Sequence, residues 1–141
     1  MKDNNNLENR TALNRYYLPV PKQSIQKIDR TTSPAHTGKL RNAIDFIVPE
    51  NTPVLAATDG IITFVQDDSK IGGPSPAYWN FSNFISIMHK NNEFSRYDHL
   101  TFKSSNVKAG QFVKQGQKIA EVGMTGYTYI PHLHFQIFIF T

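Results

Sequence analysis

The chain has 141 residues, 39% of them apolar and 18% charged, with no cysteine and a net charge of +4. This balance fits one globular domain with a real core and excludes a disordered chain, and no apolar run reaches the roughly 20 residues of a membrane-spanning helix. The missing cysteines exclude disulfides and thiolate metal sites, so any transition metal must be held by His, Asp or Glu, a choice that favours zinc or a similar ion; the positive charge suits an anionic partner (cell wall, nucleic acid or a membrane surface) without choosing among them.

Residues 1–14 are polar, open on Asn4, Asn5 and Asn6, and contain no apolar stretch of the kind a signal peptide needs. Residues 1–30 read as an N-terminal extension, partly disordered, and 31–141 as the domain proper. Tyr16, Tyr17, Leu18, Val20, Ile25 and Ile28 are available to pin the later part of the extension. Pro19 and Pro21 argue against a helix there. From Pro34 onward the pattern is strand and turn. A β-type run over 43–48 leads to a turn at 49–52, where Asn51 tolerates a left-handed backbone. A run over 54–57 is followed by Asp59-Gly60, a strong hairpin signal, and by a strand over 61–65. Residues 72–76 are a loop. A strand over 84–89 and its partner over 94–100 flank a turn at 90–93. Ala109-Gly110 and Gln115-Gly116 punctuate two more short strands, 123–131 is a loop, and 132–140 is the last strand. No segment after Pro34 carries a 3.6-residue period, so the expected fold class is all-β, an antiparallel sandwich or barrel.

The last strand is the most informative stretch. Leu133, Phe135, Ile137 and Ile139 share one face, and His132, His134 and Gln136 share the other. Two imidazoles side by side on a rigid strand make a natural half of a metal site, although the same alternation also describes two ordinary polar residues on a solvated face. Further histidines lie in Arg96-Tyr97-Asp98-His99-Leu100 and in Ala35-His36-Thr37-Gly38, with Asp45 nine residues after His36. Asp98 would point away from His99 on an ideal strand and is not taken as its partner. His89, at a strand end, has no ligand partner at a suitable spacing and reads as structural. Tyr78 and Trp79 suit a substrate rim, core packing or a lid equally well.

Several ordered segments resemble the lysostaphin-type zinc metallopeptidases. Ala43-Ile44-Asp45-Phe46 with Pro49, Thr52-Pro53-Val54, Ala56-Ala57 and Asp59-Gly60 is similar to their first signature. Tyr97-Asp98-His99-Leu100 resembles their Tyr-x-His-Leu segment, and Pro131-His132-Leu133-His134-Phe135 their His-Leu-His-Phe signature. Val107-Lys108-Ala109-Gly110, Val113-Lys114-Gln115-Gly116-Gln117 and Gly123-Met124-Thr125-Gly126 match the glycine-punctuated stretch between. Together these cover about residues 34–140. The resemblance implies Asp45 and His134 as zinc ligands and His99 and His132 as catalytic histidines. The third ligand departs from the common pattern: many members carry it four residues before the Asp, where this chain has Arg41, which cannot ligate zinc. A subgroup carries a Ser-His-x-Gly segment further upstream, and Ala35-His36-Thr37-Gly38 resembles it, so His36 takes the third position. Asn51 stands where the family has Gly.

The resemblance further implies one Zn2+ per chain and a fold of the duplicated hybrid type related to lipoyl-like barrels. The implied partner is the peptide part of bacterial peptidoglycan rather than nucleic acid, and the implied location is outside the cytoplasm. Two histidines and one carboxylate leave zinc an open position, the mark of a catalytic site. With no His-Glu-x-x-His helix, acid–base work falls to histidine, whose pKa lies near operating pH. The competing expectations are a non-catalytic relative that binds wall or activates another hydrolase, and a lipoyl-like or phosphocarrier module on the same strands. Zinc content separates the last two from a peptidase.

Overall fold

The computed structural model describes residues 12–30 and 43–139. His36 and Arg41 lie outside the described residues. Among the described residues eleven strands run in order: β1 (Lys27–Asp29), β2 (Ile44–Ile47), β3 (Pro53–Leu55), β4 (Gly60–Gln66), β5 (Gly72–Gly73), β6 (Phe84–Met88), β7 (Glu93–Asp98), β8 (Phe112–Val113), β9 (Lys118–Glu121), β10 (Gly126–Tyr127) and β11 (His132–Ile139). Among the described residues the only helical elements are short 3-10 turns at Lys22–Ser24, Pro76–Phe81 and Lys90–Asn92. The fold is all-β and built on antiparallel pairing, as expected. Its main sheet has seven strands in the order β1-β2-β11-β7-β6-β4-β8. Two small sheets join β3 to β9, antiparallel, and β10 to β5, parallel.

The alternation read from the sequence sets the core. Leu133 and Phe135 of β11 and Tyr97 of β7 face inward with Phe46, Ile85, Ile87, Val54 and Ile119. Tyr97 is fully buried, and its hydroxyl is satisfied by Ala57 N–H at 2.9 Å and the Ser95 hydroxyl at 2.8 Å. A buried phenol needs such partners.

One expected hairpin does not form. Asp59-Gly60 does not join β3 to β4. It carries the chain from the small sheet to the large one, where β4 pairs with β6 and β8. The local chemistry explains this. The Asp59 carboxylate accepts from Gln115 N–H at 2.7 Å, and Gly60 passes so close to Met88, Ile87 and His89 that no side chain fits there. The dipeptide was chosen for close approach as well as for turning. The 72–76 and 123–131 loops also contain β5 and β10, a pairing too short to show as alternation. Asn51 does adopt the left-handed backbone, at φ 70°.

Residues 12–30 pack on the domain. Val20 is buried, Tyr16 and Ile25 lie against the core, and β1 extends the sheet edge, while Tyr17, Leu18 and Ile28 stay exposed. The anchor is Glu93, fully buried at the start of β7. It accepts from Leu13 N–H at 2.6 Å, Asn14 N–H at 3.2 Å and the Tyr16 hydroxyl at 2.8 Å. Burial, joined by the Glu93 carboxylate, keeps the Tyr16 phenol protonated. Glu93→Ala is therefore expected to lower stability by about 2–4 kcal/mol, because it strands donors to a charged acceptor. Urea unfolding measures the loss, and limited proteolysis should show earlier cleavage near Asn14.

Candidate active site

Three adjacent strands build the site floor. In register across β2, β11 and β7 stand Asp45, His134 and Asp98. Period-two alternation, with Phe46, Leu133 and Tyr97 in the core, turns all three to the opposite face. His132, His134 and Gln136 are nonetheless buried there, so this face is a covered cleft and not a solvated surface. His134 Nδ1 lies 3.1 Å from Asp45 Oδ1, and His132 Nε2 lies 3.8 Å from the same oxygen.

His99 enters from beyond the end of β7. Its φ of 71° is left-handed, a costly backbone for a non-glycine residue. Three hydrogen bonds hold it: His99 N–H to Ser82 Oγ at 3.0 Å, Gly123 N–H to His99 O at 2.8 Å, and the ring Nδ1 to Thr125 O at 2.7 Å. The break in alternation swings the imidazole to the Asp45 face. Its ring centroid is 4.7 Å from that of His132 and 6.0 Å from that of His134.

The 123–131 loop orients both outer histidines. His132 Nδ1 lies 2.8 Å from Ile130 O, and His99 Nδ1 lies 2.7 Å from Thr125 O. A backbone carbonyl only accepts, so each Nδ1 carries the proton and each Nε2 keeps its lone pair. Thr128 donates to Ile130 O at 2.9 Å and touches His132 Nδ1 at 3.2 Å, which fixes the carbonyl and the ring together. Gly126, at φ 85°, packs against Ser82, where a Cβ would collide.

Asp98 is a residue of this site that sequence reasoning set aside. An ideal strand would separate it from His99, but the left-handed turn at His99 removes that separation. Its carboxylate accepts from Arg96 Nε at 2.8 Å, Arg96 Nη2 at 3.1 Å and Ser82 Oγ at 3.2 Å. Burial alone would raise its pKa; Arg96, through hydrogen bonds and charge, outweighs burial and holds the carboxyl below its ordinary value, with His134 and His99 adding to the effect. The usable signal was Tyr97: once that residue is placed in the core, Asp98 must share the face of His134. His89 is structural, as expected. Its nitrogens meet Asp59 O at 2.6 Å and Ser95 Oγ at 2.8 Å, away from the cleft.

Burial, then the neighbouring His132, pushes the His99 pKa down to about 4 against the opposing pull of Asp98. His99 is therefore neutral at neutral pH. The folded state binds this proton more weakly than the unfolded chain, so stability is full above the ordinary value of 6.5 and falls as pH drops toward about 4. The metal-free protein should show a melting temperature that declines across that window. In His99→Gln, which removes the titrating ring, the decline should be shallower.

The donor chemistry fits a zinc ion. Asp45 and His134 offer a carboxylate oxygen and an imidazole nitrogen 3.1 Å apart, and two ligands of one tetrahedral zinc stand about 3.4 Å apart. Among the described residues no group of three or more His, Asp or Glu side chains is disposed to hold a metal. The remaining expected ligand, His36, lies outside the described residues.

Comparison with known proteins agrees with this geometry. The family model described as Peptidase family M23 matches residues 39–140. The peptidoglycan DD-endopeptidase ShyB of Vibrio cholerae is 36% identical over 134 residues, which is 91% of this chain and 28% of that protein. The chain spans less than a third of the length of this and similar curated relatives. Among solved structures, a zinc-containing peptidase from Vibrio cholerae superposes with a TM-score of 0.65 at 32% identity, covering 92% of this chain and 37% of that one. The catalytic domain of lysostaphin from Staphylococcus simulans gives 0.60 at 30% identity, covering 82% and 81%. A match across most of the chain, on a fold that gathers the motif residues Asp45, His99, His132 and His134 into one cleft, makes this protein a member of peptidase family M23.

Proposed function

We propose that the domain is a zinc-dependent endopeptidase that hydrolyses peptide cross-links or bridges of bacterial peptidoglycan, outside the cytoplasm. In this reading His36, Asp45 and His134 hold one zinc ion, and His99 and His132 perform the acid–base work. The observation that carries it is the convergence of two outer histidines, each with Nδ1 tied to a carbonyl, on the Asp45–His134 pair. Relatives and neighbours of this chain carry the names peptidoglycan DD-endopeptidase and zinc-containing peptidase, which supports the substrate class and the metal.

Zinc, when bound, supplies Lewis acidity to the water and the scissile carbonyl. The chain's own residues do the rest. With Nδ1 of each ring tied to a carbonyl, His99 and His132 present Nε2 to accept a proton from the attacking water. Once protonated, an imidazole returns that proton to the leaving amine or stabilises the negative oxygen. The Thr125 and Ile130 carbonyls hold each ring in one tautomer throughout, and the buried Asp98 carboxylate favours the charged imidazolium of its neighbour.

The test is incubation of purified cross-linked muropeptide dimers with zinc-loaded protein, followed by mass spectrometry. Conversion to two monomers with uptake of one water, stopped by a chelator and restored by zinc, is the expected outcome. Intact dimers in the presence of bound zinc would favour a non-catalytic wall-binding role.

A further inference from the structure

Outside the acid–base machinery, the most unusual surface is aromatic. Trp79, on the 3-10 turn at Pro76–Phe81, packs on Tyr127 with ring centroids 6.3 Å apart, and Tyr127 packs on Tyr129 at 5.6 Å with their hydroxyls 3.1 Å apart. Trp79 is 50% exposed and Tyr129 66%. Burial does not account for rings held against one another while so open to water. The row adjoins the cleft: Tyr127 and Tyr129 bracket Thr128, and Thr128 and the next carbonyl, Ile130 O, contact His132 Nδ1.

The row is also free of charge. The chain has 15 Lys and Arg and 11 Asp and Glu, yet none falls within 71–88 or 122–141, the two segments that carry these rings. The two segments themselves therefore offer a charged peptide terminus no Lys, Arg, Asp or Glu side chain. A neutral pyranose does find what it needs: the ring C–H groups on one sugar face suit the negative face of an aromatic quadrupole, and the phenol hydroxyls at the edges suit sugar hydroxyl and acetamido groups. The peptidoglycan peptide is joined by an amide to a sugar of the glycan strand, so a cross-linked substrate seated at His132 carries a sugar a few residues from the bond to be cut.

We infer that Trp79, Tyr127 and Tyr129 form a subsite for an N-acetylated sugar ring of the glycan strand, beside the peptide-cleaving cleft. This inference rests on the peptidase reading for its substrate, but its first test does not. Trp79 is the sole tryptophan of the chain and reports directly on the subsite. Titration of the intact protein with chitotetraose, a neutral peptide-free probe, should shift and quench its fluorescence to saturation. Tyr129→Ala, at the most exposed ring, should weaken binding about three- to tenfold, and Tyr129→Trp, read by calorimetry, should retain it.

The second test compares a cross-linked muropeptide with the same peptide after amidase removal of its sugars. Wild type should favour the glycan-bearing form in KM, and Tyr129→Ala should shrink that preference about three- to tenfold, as the loss of one aromatic stack implies, with turnover of the sugar-free peptide unchanged. No response to chitotetraose, or equal losses on both substrates, would overturn the subsite and assign the rings to the peptide or to a protein partner. If neither substrate is cleaved, the peptidase reading fails, and the fluorescence titration still decides the subsite.

Discussion

His99→Ala and His132→Ala are each expected to retain zinc and to lose about 100- to 10,000-fold in kcat on cross-linked muropeptide, the usual worth of a positioned acid–base group. The two rings stand 4.7 Å apart, each with one nitrogen committed to the 123–131 loop, so neither substitutes for the other without breaking its anchor. Losses should therefore appear in both single variants. The double variant should be little worse than the poorer single one if the rings act as a unit. Single-turnover rates on dimer muropeptide, with zinc measured in the same samples, check this. Near-normal rates in both variants would remove these histidines from the chemistry.

Asp45→Ala and His134→Ala are expected to fail earlier, at metal binding. Each removes one donor of the 3.1 Å pair. Loss of mere supporting partners costs about 10- to 100-fold in metal affinity, so loss of a ligand should cost more than about 100-fold. Zinc retained after dialysis, measured by elemental mass spectrometry, should fall from about one per chain to near zero, and hydrolysis should fall with it. Asp45→Asn keeps the shape and removes the charge, and is expected to lie between the two extremes. Full zinc in Asp45→Ala or His134→Ala would exclude that residue as a ligand.

Much of the site was legible in the sequence because alternation fixes direction on a strand. Leu133 and Phe135 had to face the core, so His132 and His134 had to share the other side, and the structure places them there. The family signatures then indicated His99 and Asp45. Direction failed where the backbone leaves the ideal strand. The left-handed φ of His99 brings Asp98 and His99 into one electrostatic neighbourhood, and no pattern of residue types announces a left-handed histidine. Topology was legible only in part. Asp59-Gly60 has the composition of a hairpin turn, yet the partners of β3 and β4 are chosen by contacts 18 or more residues away, with β9 and with β6. The parallel β5–β10 pair was hidden for a different reason: at two residues a strand it has no period, although it is what brings Trp79 to Tyr127.

Everything in the proposed mechanism depends on one zinc ion held by three side chains of this chain, with His36 supplying what Asp45 and His134 lack. The decisive measurement is a crystal structure of the zinc-loaded protein with anomalous data collected at the zinc edge. A single strong peak is expected in the cleft, with nitrogens of His36 and His134 at about 2.0–2.1 Å and an Asp45 oxygen at about 2.0–2.2 Å. A peak elsewhere, or one at Asp45 and His134 with His36 remote from it, would contradict the three-ligand site and with it the assignment of this domain as a zinc peptidase.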